Sequence, residues 1–496
     1  MTTIPRPDPN VLAVRTGIHM KADPSRVFAR LFIPGQEDFG ATQSRATAVL
    51  DRVLELDESE VEAALNDVLL RFGNRHDDIH YWLDLHAHRV TNRLDAPIRL
   101  SDNRWRLIGA FHRELMGEIG AALTNPSVVR HPDQTDVERG WCRFAMSARC
   151  IGEGHRSSIG FRTGVVSDLG DVVMDPVASD IDVGLHSEGY LRDVAFRGLL
   201  ESMGDLGENA QRVLHQLGDV FHPSDLEEQL NRLVHDRDTY RNTEVTAHHF
   251  RQIADRSYSV SFSADSHLSE RVIWPQAQAE WRGMEDARFV EFDDPEMGRI
   301  YFATYTAFDG VDVAQQLLST RDFLTFEITP VSGAAARGKG LAIFPRKVGG
   351  RFAALSRADR ETNSITFSDH LEYWNESTAI QLPRRSWEVI QLGNCGSPIE
   401  TSAGWLVMTH AVGPMRTYCI SALLLDRHDP ERVIGSLGTP LLVPSELEQD
   451  GYVPNVVYSC GSMRFENTLL IPFGIADQSI GVATAELDRV LDRLVG

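Results

Sequence analysis

Lysine is nearly missing from this chain of 496 residues: Lys21, Lys339 and Lys347 are the only three, and arginine supplies the remaining positive charge. Genome base composition accounts for such a bias, yet two of the three lysines fall in one short segment. Basic residues are outnumbered, 49 against 71 acidic, for a net charge of −22. That field repels duplex nucleic acid and anionic membrane surfaces, so neither is expected as a partner. It does not prevent a local cationic pocket. Cysteine is scarce too. Cys142, Cys150, Cys395, Cys419 and Cys460 are odd in number, form no CxxC and lack zinc-site spacing, which argues against a disulfide framework and a structural zinc. A cytoplasmic location with free thiols is expected. No apolar run of about 18 residues exists to span a membrane, and MTTIPRPDPN has no basic-then-apolar leader. Also absent are GxSxG, GxGxxG and GxxxxGK[ST], so the common hydrolase elbow, dinucleotide loop and P-loop are excluded. The remaining composition, 42% hydrophobic and 24% charged, suits a large buried core. The length fits two to four domains, or one large repeat domain with an extension.

Texture divides the chain. Residues 41–122 read as helical: Val49, Leu50, Val53, Leu54, Val61, Leu65, Val68, Leu69 and Phe72 recur at three- and four-residue spacing, one apolar stripe. Asp57 and Ser59 ahead of Glu60 mark a helix start, and DNRWRLIGAFHRELMGEIGAALTNPS reads as a last helix ending near Asn125-Pro126. From Asn125 onward, short β-rich runs alternate with Gly, Asp, Asn and Pro. About five modules of roughly 40–60 residues follow one another, the period of propeller blades. A β-sandwich competes, but radial repetition hides sheet edges without a second sheet. Residues 187–256 interrupt the pattern as a helical excursion. The expected organisation is therefore a helical N-terminal extension over 1–122 and an all-β five-bladed β-propeller over 123–496 carrying the 187–256 insertion. The apolar stripe needs a covering surface, either the chain's own propeller or another subunit, so a homo-oligomer is expected.

Four constellations could carry chemistry. HDDIH, His76 to His80, places two histidines on one helix face, but a zinc protease needs Glu where Asp77 stands and no third ligand is specified; an exposed polar face is the better reading and no metal is expected. Gly283-Met284-Glu285-Asp286-Ala287-Arg288 opens a strand with two carboxylates and a cation. Strict alternation sends Asp286 and Arg288 to one face and Glu285 to the other; the competing reading is a structural ion pair. Arg337-Gly338-Lys339-Gly340, Pro345-Arg346-Lys347 and Arg357 form a cationic cluster whose forks suit phosphate oxygens, unless it is merely a solvated basic loop. Finally, a turn at Gly393 to Pro398 feeds a strand that carries His410 to a pocket mouth, or leaves it an ordinary surface residue.

Together these segments resemble glycoside hydrolase family 130, the β-mannoside phosphorylases and related β-mannosidases. GMEDAR resembles the family's G-x-E-D-P-R, with Ala287 in place of Pro. TYTAFDG, which ends in Asp309 and Gly310, resembles T-Y-T-A-Y-D-G; LAIFPRKVGGRF resembles the F-P-E-K strand with Arg346 for Glu; and GSPIETSAGWLVMTHAV, FGIADQSIGVA and NPSVV match further segments in order. The match covers about residues 125–186 and 257–496, outside the N-terminal helices and the insertion.

The resemblance implies a five-bladed propeller with its site in the central funnel, and inverting attack by phosphate on a β-mannoside to give α-mannose 1-phosphate. By matching positions it makes Asp286 the proton donor, acting through the sugar's 3-hydroxyl, and Arg337, Arg357 and His410 the phosphate-holding residues. Asn125, Arg149, Glu285, Asp309, Gln391 and Asp477 would contact substrate. Gln391 stands where Lys is common and Gly338 where Asn is usual, departures that bear on substrate choice. An inverting hydrolase needs an acid and a base; phosphate is already an anionic nucleophile, so one acid and a set of cations suffice. The partners implied are a mannose-containing disaccharide or oligosaccharide and inorganic phosphate as co-substrate, with no other cofactor. Two alternatives stand beside this reading: a β-mannoside hydrolase using water, and a non-catalytic carbohydrate-binding propeller.

Overall fold

The computed structural model describes residues 11–35, 45–73, 78–94, 99–178 and 180–495. The chain divides into two compact units, one of residues 24–118 with 179–181 and the other of residues 1–23, 119–178 and 182–496.

Among the described residues the smaller unit holds four α-helices, Ala46–Glu55, Glu58–Phe72, Ile79–Val90 and Asp102–Phe111. The expected start before Glu60 is a complete capping box: Asp57 Oδ1 accepts from Glu60 N at 2.8 Å and Asp57 N donates back to Glu60 Oε2 at 3.0 Å. The apolar stripe packs inside this unit, Leu50, Val53 and Val61 lying against Val90, Leu107 and Ile108. The covering surface that it needs comes from neighbouring helices. His76 and Asp77 of HDDIH lie outside the described residues, and His80 stands exposed on its helix.

One expected helix is shorter than its sequence pattern. DNRWRLIGAF is helical, but the helix ends at Phe111 and does not run on to Asn125-Pro126. Arg113–Ile119 is a strand paired with Asp23–Leu31, and Ala122–Arg130 is another. Cross-strand ion pairs hold the first pairing: Arg26 to Glu118 at 2.7 Å, fully buried, and Arg30 to Glu114 at 2.6 Å. Pairing with a strand distant in sequence overrides local helix propensity.

The larger unit is built of antiparallel sheets. The first contains Ala122–Arg130, Trp141–Ile151, Ser157–Ser167 and Val172–Met174. The second contains Gly283–Asp294, Gly298–Phe308, Val313–Thr320 and Thr325–Pro330, extended at its edge by Tyr258–Ser261 and Leu185–Glu188. A single parallel residue pair, Gly283 with Ser157, links these two sheets. The third contains Ala342–Ile343, Phe352–Ser356, Asn363–Ser368 and Ser377–Gln381; the fourth contains Gln391–Asn394, Trp405–Val412, Tyr418–Leu425 and Val433–Ser436. Among the described residues no sheet closes on itself. Between Leu185–Glu188 and Tyr258–Ser261, the two strands added at the edge of the second sheet, the excursion forms four helices, Asp193–Ser202, Glu208–Leu217, Pro223–His235 and Thr243–Ala254, around Phe196, Leu200, Leu214, Leu230 and Phe250.

The fifth sheet takes its outer strand from the other end of the chain. Val457–Tyr458, Thr468–Ile475 and Ser479–Glu486 are joined by Ala13–Met20, which pairs antiparallel from Ala13 opposite Ala485 to Met20 opposite Ile480. Arg15 locks the strand with a 2.6 Å ion pair to Glu448 and a 2.7 Å bond to the Val443 carbonyl. A chain begun at Leu123 would therefore lose more than the helices: it would expose the unpaired edge of Ser479–Glu486. Such an edge invites intermolecular pairing. The truncated protein is expected to show a lower Tm and concentration-dependent aggregation, and a chain that keeps residues 11–23 fused ahead of Leu123 is expected to recover both. Thermal unfolding and light scattering of the two truncations check this.

Candidate active site

The strand Gly283–Asp294 breaks its register between Glu285 and Arg288, and Asp286 sits there with φ of 57°. Asp tolerates the left-handed region better than most residues, and a bulge at a strand end re-aims a side chain. Strict alternation would place Glu285 on the face opposite Asp286. The bulge overrides it: Arg149 and Lys339 both pair with the Glu285 carboxylate, and both also act on the Asp286 charge. A matching irregularity lies in Ala122–Arg130, between Thr124 and Ser127, where Asn125 has φ of 50°. Asn125 Nδ2 donates to Asp286 Oδ1 at 2.5 Å, and its own Oδ1 accepts from Thr124 Oγ1 at 2.9 Å, which fixes the amide's orientation.

Arg288 ties this carboxylate to the far wall. Its Nη1 donates to the Asp286 carbonyl at 2.9 Å and its Nη2 to the Tyr458 hydroxyl at 2.7 Å. The Tyr458 ring meets His410 edge-on at 4.9 Å between centroids. His410 Nδ1 lies 3.1 Å from the Asn394 carbonyl. A carbonyl only accepts, so Nδ1 carries the proton and Nε2 presents a lone pair. Gly393 explains how Arg357 reaches the same place: a Cβ there would lie 2.5 Å from Arg357 Cδ and 2.6 Å from His410 Cε1. Only glycine lets the two side chains converge.

The electrostatics follow from this packing. Burial, then the Arg357 and Arg288 charges, hold His410 well below the usual imidazole range, so the ring is neutral. Burial pushes the Asp286 carboxyl up, but Arg288, Arg149, Lys339 and the Asn125 bond together bring it below the ordinary range. Asp477, with φ of 51° in the turn after Thr468–Ile475, is raised by burial and by the Asp286 charge, against Arg149 and Arg416. The nitrogens His410 Nε2, Arg357 Nε, Arg288 Nε and Arg149 Nε are buried without a partner among the described residues. Such groups are costly to leave unpaired. The three arginine nitrogens are donors from which an anion can accept, and the neutral His410 Nε2 beside them offers an acceptor to a protonated ligand oxygen.

The structure thus brings together Asn125, Arg149, Glu285, Asp286, Arg357, His410 and Asp477, with Gln391 joined through the Tyr418 hydroxyl at 3.3 Å. Two candidates stand apart from this network. Arg337 is exposed and its side chain has no partner among the described residues, whereas Lys339, two positions on, reaches Glu285. Asp309 turns its Oδ1 to the backbone of Val311 and Asp312 at 2.8 and 2.7 Å and caps its own loop. Arg288 and Tyr458 complete the site. GMEDAR displays Arg288, but nothing local marks Tyr458.

Comparison with known proteins agrees with the motifs. The family of β-1,4-mannooligosaccharide phosphorylase, glycoside hydrolase family 130, matches residues 215–495. A 1,2-β-oligomannan phosphorylase of Thermoanaerobacter sp. (strain X514) is 33% identical over 261 residues, 51% of this chain and 86% of that protein. A β-1,2-mannobiose phosphorylase of Listeria innocua serovar 6a is 28% identical over 262 residues, 49% of this chain and 71% of that protein. Among solved structures, a β-1,2-mannobiose phosphorylase from Listeria innocua with bound β-1,2-mannobiose aligns over 76% of this chain and 93% of that chain, at 21% identity and a TM-score of 0.45.

Proposed function

The chain belongs to glycoside hydrolase family 130, and from that membership we propose that it cleaves a β-mannoside with inorganic phosphate, inverting the anomeric carbon to give α-mannose 1-phosphate. The observation that carries the reading is the pair of buried, unpartnered guanidinium nitrogens, Arg288 Nε and Arg357 Nε, grouped with the neutral His410 ring around the Asp286 carboxyl group. In this reading the five antiparallel sheets are the blades of a propeller whose strand ends converge on Asp286. Asp286 donates the proton that the departing sugar needs, through the 3-hydroxyl of the reacting mannose. Phosphate attacks from the opposite face, its oxygens accepting from the Arg357 and Arg288 Nε–H groups that the protein leaves without a partner among the described residues. Its remaining hydroxyl donates to His410 Nε2, the lone pair that the Asn394 carbonyl bond leaves buried without a partner. Phosphate is the co-substrate and no other cofactor is required. The buried free thiols of all five cysteines fit a reducing cytoplasm.

Hydrolysis is the second reading, and Asp477 is the observation that favours it. It is a second carboxyl group close enough to feel the Asp286 charge, and a water-using enzyme needs a base as well as an acid. One experiment separates the two. β-Linked manno-disaccharides incubated with and without inorganic phosphate are expected to yield sugar 1-phosphate only in the phosphate tube. Free mannose at equal rates in both tubes would overturn phosphorolysis in favour of Asp477-assisted attack by water.

A further inference from the structure

We propose that Trp281, Arg156, His155 and Tyr452 form one continuous wall that binds the sugar units beyond the mannose that reacts, a carbohydrate subsite on the acceptor side. The inference rests on the mannoside reading above and adds where the rest of the substrate lies.

The wall is assembled from three loops. Arg156 stacks its guanidinium over the Trp281 ring, 4.4 Å from Cζ to the centroid. The adjacent His155 stacks on Tyr452, with centroids 6.2 Å apart and planes inclined by 22°. Neighbouring side chains can serve opposite partners because Gly154 and His155 both take left-handed conformations, φ of 68° and 55°, in the tight turn at residues 152–156. That turn joins Trp141–Ile151 to Ser157–Ser167, the end of the sheet from which Arg149 reaches Glu285.

Both ends of the wall are rooted in backbone that carries the site. Trp281 precedes Gly283, the residue paired with Ser157 at the start of the strand that presents Asp286. Tyr452 lies in a loop fastened to the Asp477 turn: Val453 N donates to the Ala476 carbonyl at 2.8 Å, and Gly451 packs against Ala476. The wall therefore runs from the Asp286 strand to the Asp477 turn.

Its chemistry fits β-linked mannose. Trp281 is 48% exposed and Tyr452 66% exposed, large rings left open to solvent although each is already held by a cationic or imidazole neighbour. A ring fixed in this way loses little freedom on binding. β-Mannopyranosides place the axial hydrogens of C1, C3 and C5 on one face and the axial 2-hydroxyl on the other, so one face is apolar and suits stacking. The equatorial hydroxyls at the ring edge are within the chemistry of Arg156 and His155, which supply donors.

The synthetic direction isolates this surface, because the sugar phosphate occupies the reacting side and the acceptor occupies the wall. With α-mannose 1-phosphate as donor and β-mannotriose as acceptor, Trp281→Ala and Tyr452→Ala are each expected to raise acceptor KM about tenfold. The sugar-phosphate KM should stay within about twofold, and Trp281→Phe and Tyr452→Phe should restore most of the loss. An unchanged acceptor KM, or a sugar-phosphate KM that rises in step, overturns the wall. Failure of the wild type to use phosphate or sugar phosphate in either direction would instead overturn the mannoside phosphorylase reading. Calorimetric titration of β-mannotriose then tests the wall separately: binding lost in Trp281→Ala supports it, and absent or unaltered binding overturns it.

Discussion

Asp286→Asn is expected to lower kcat by about 10²- to 10⁴-fold, the contribution usual for a positioned general acid, while KM for the mannoside changes only a few-fold. The substitution is isosteric, and an amide oxygen turned toward Asn125 keeps the 2.5 Å bond that Asn125 now makes to Oδ1. What disappears is the proton. Glu285 cannot supply it in place, because Arg149 and Lys339 both hold its carboxylate. The pH profile sharpens the test. In the free protein the Asp286 carboxyl lies below its ordinary range: burial raises it, and Arg288, Arg149, Lys339 and Asn125 outweigh burial. An acid must be protonated to act, so activity falls as pH rises through this lowered value. Phosphate bound among the same cations offsets their field and raises the carboxyl again. The alkaline limb of kcat at saturating phosphate should therefore lie at higher pH than the limb of kcat/KM measured at low phosphate. Coincident limbs, or an Asn variant as fast as wild type, would remove Asp286 from the role of donor.

The parts of this site that could be read in the sequence are those that depend on local pattern. β-Rich runs punctuated by Gly, Pro and Asn are legible because the strand period is short, and GMEDAR is legible because two carboxylates and a cation crowd one strand entrance. Tertiary contacts supply the rest. Nothing local announces that Asp286 takes φ of 57°; a neighbouring strand must enforce it, and without the bulge Glu285 would face away from the site. RELMGEI is a strand because it pairs with Asp23–Leu31, and Arg26 and Arg30, 92 and 84 residues away from their glutamates, bridge that pairing. In Arg337-Gly338-Lys339, spacing shows a cationic loop but cannot tell which cation meets a carboxylate. Both are exposed, and the fold pairs Lys339 with Glu285 and leaves the Arg337 side chain without a partner among the described residues. Tyr458 matters only because Arg288 and His410 arrive on either side of it.

Arg288→Gln is expected to lower kcat by about a hundredfold, the cost of a small misplacement of a catalytic group, and also to move the pH profile. Arg288 never has to touch substrate for this. Its two nitrogens bind the carbonyl of Asp286 itself and the Tyr458 hydroxyl, so the fork holds a left-handed carboxylate at a fixed distance from the His410 wall. Glutamine cannot span both acceptors, and a buried carbonyl or hydroxyl left unpaired relaxes the bulge. The charge acts separately from the fork. Arg288 is the strongest of the groups that depress the Asp286 carboxyl, and after burial and Arg357 it also depresses His410. Removing it raises both: the alkaline limb governed by Asp286 moves to higher pH, and His410 protonates more readily. Arg288→Lys keeps the charge and loses the fork, so it should reproduce most of the fall in kcat while leaving the limb near its wild-type position. A purely structural arginine would damage stability in both variants and leave both limbs where they were. Rate profiles from pH 4 to 9 for the three proteins, each checked for an unaltered thermal midpoint, decide between these outcomes. If the Gln and Lys variants share one limb, charge on Arg288 does not set the protonation of Asp286; if both keep wild-type kcat, the link from Asp286 to Tyr458 has no part in the reaction.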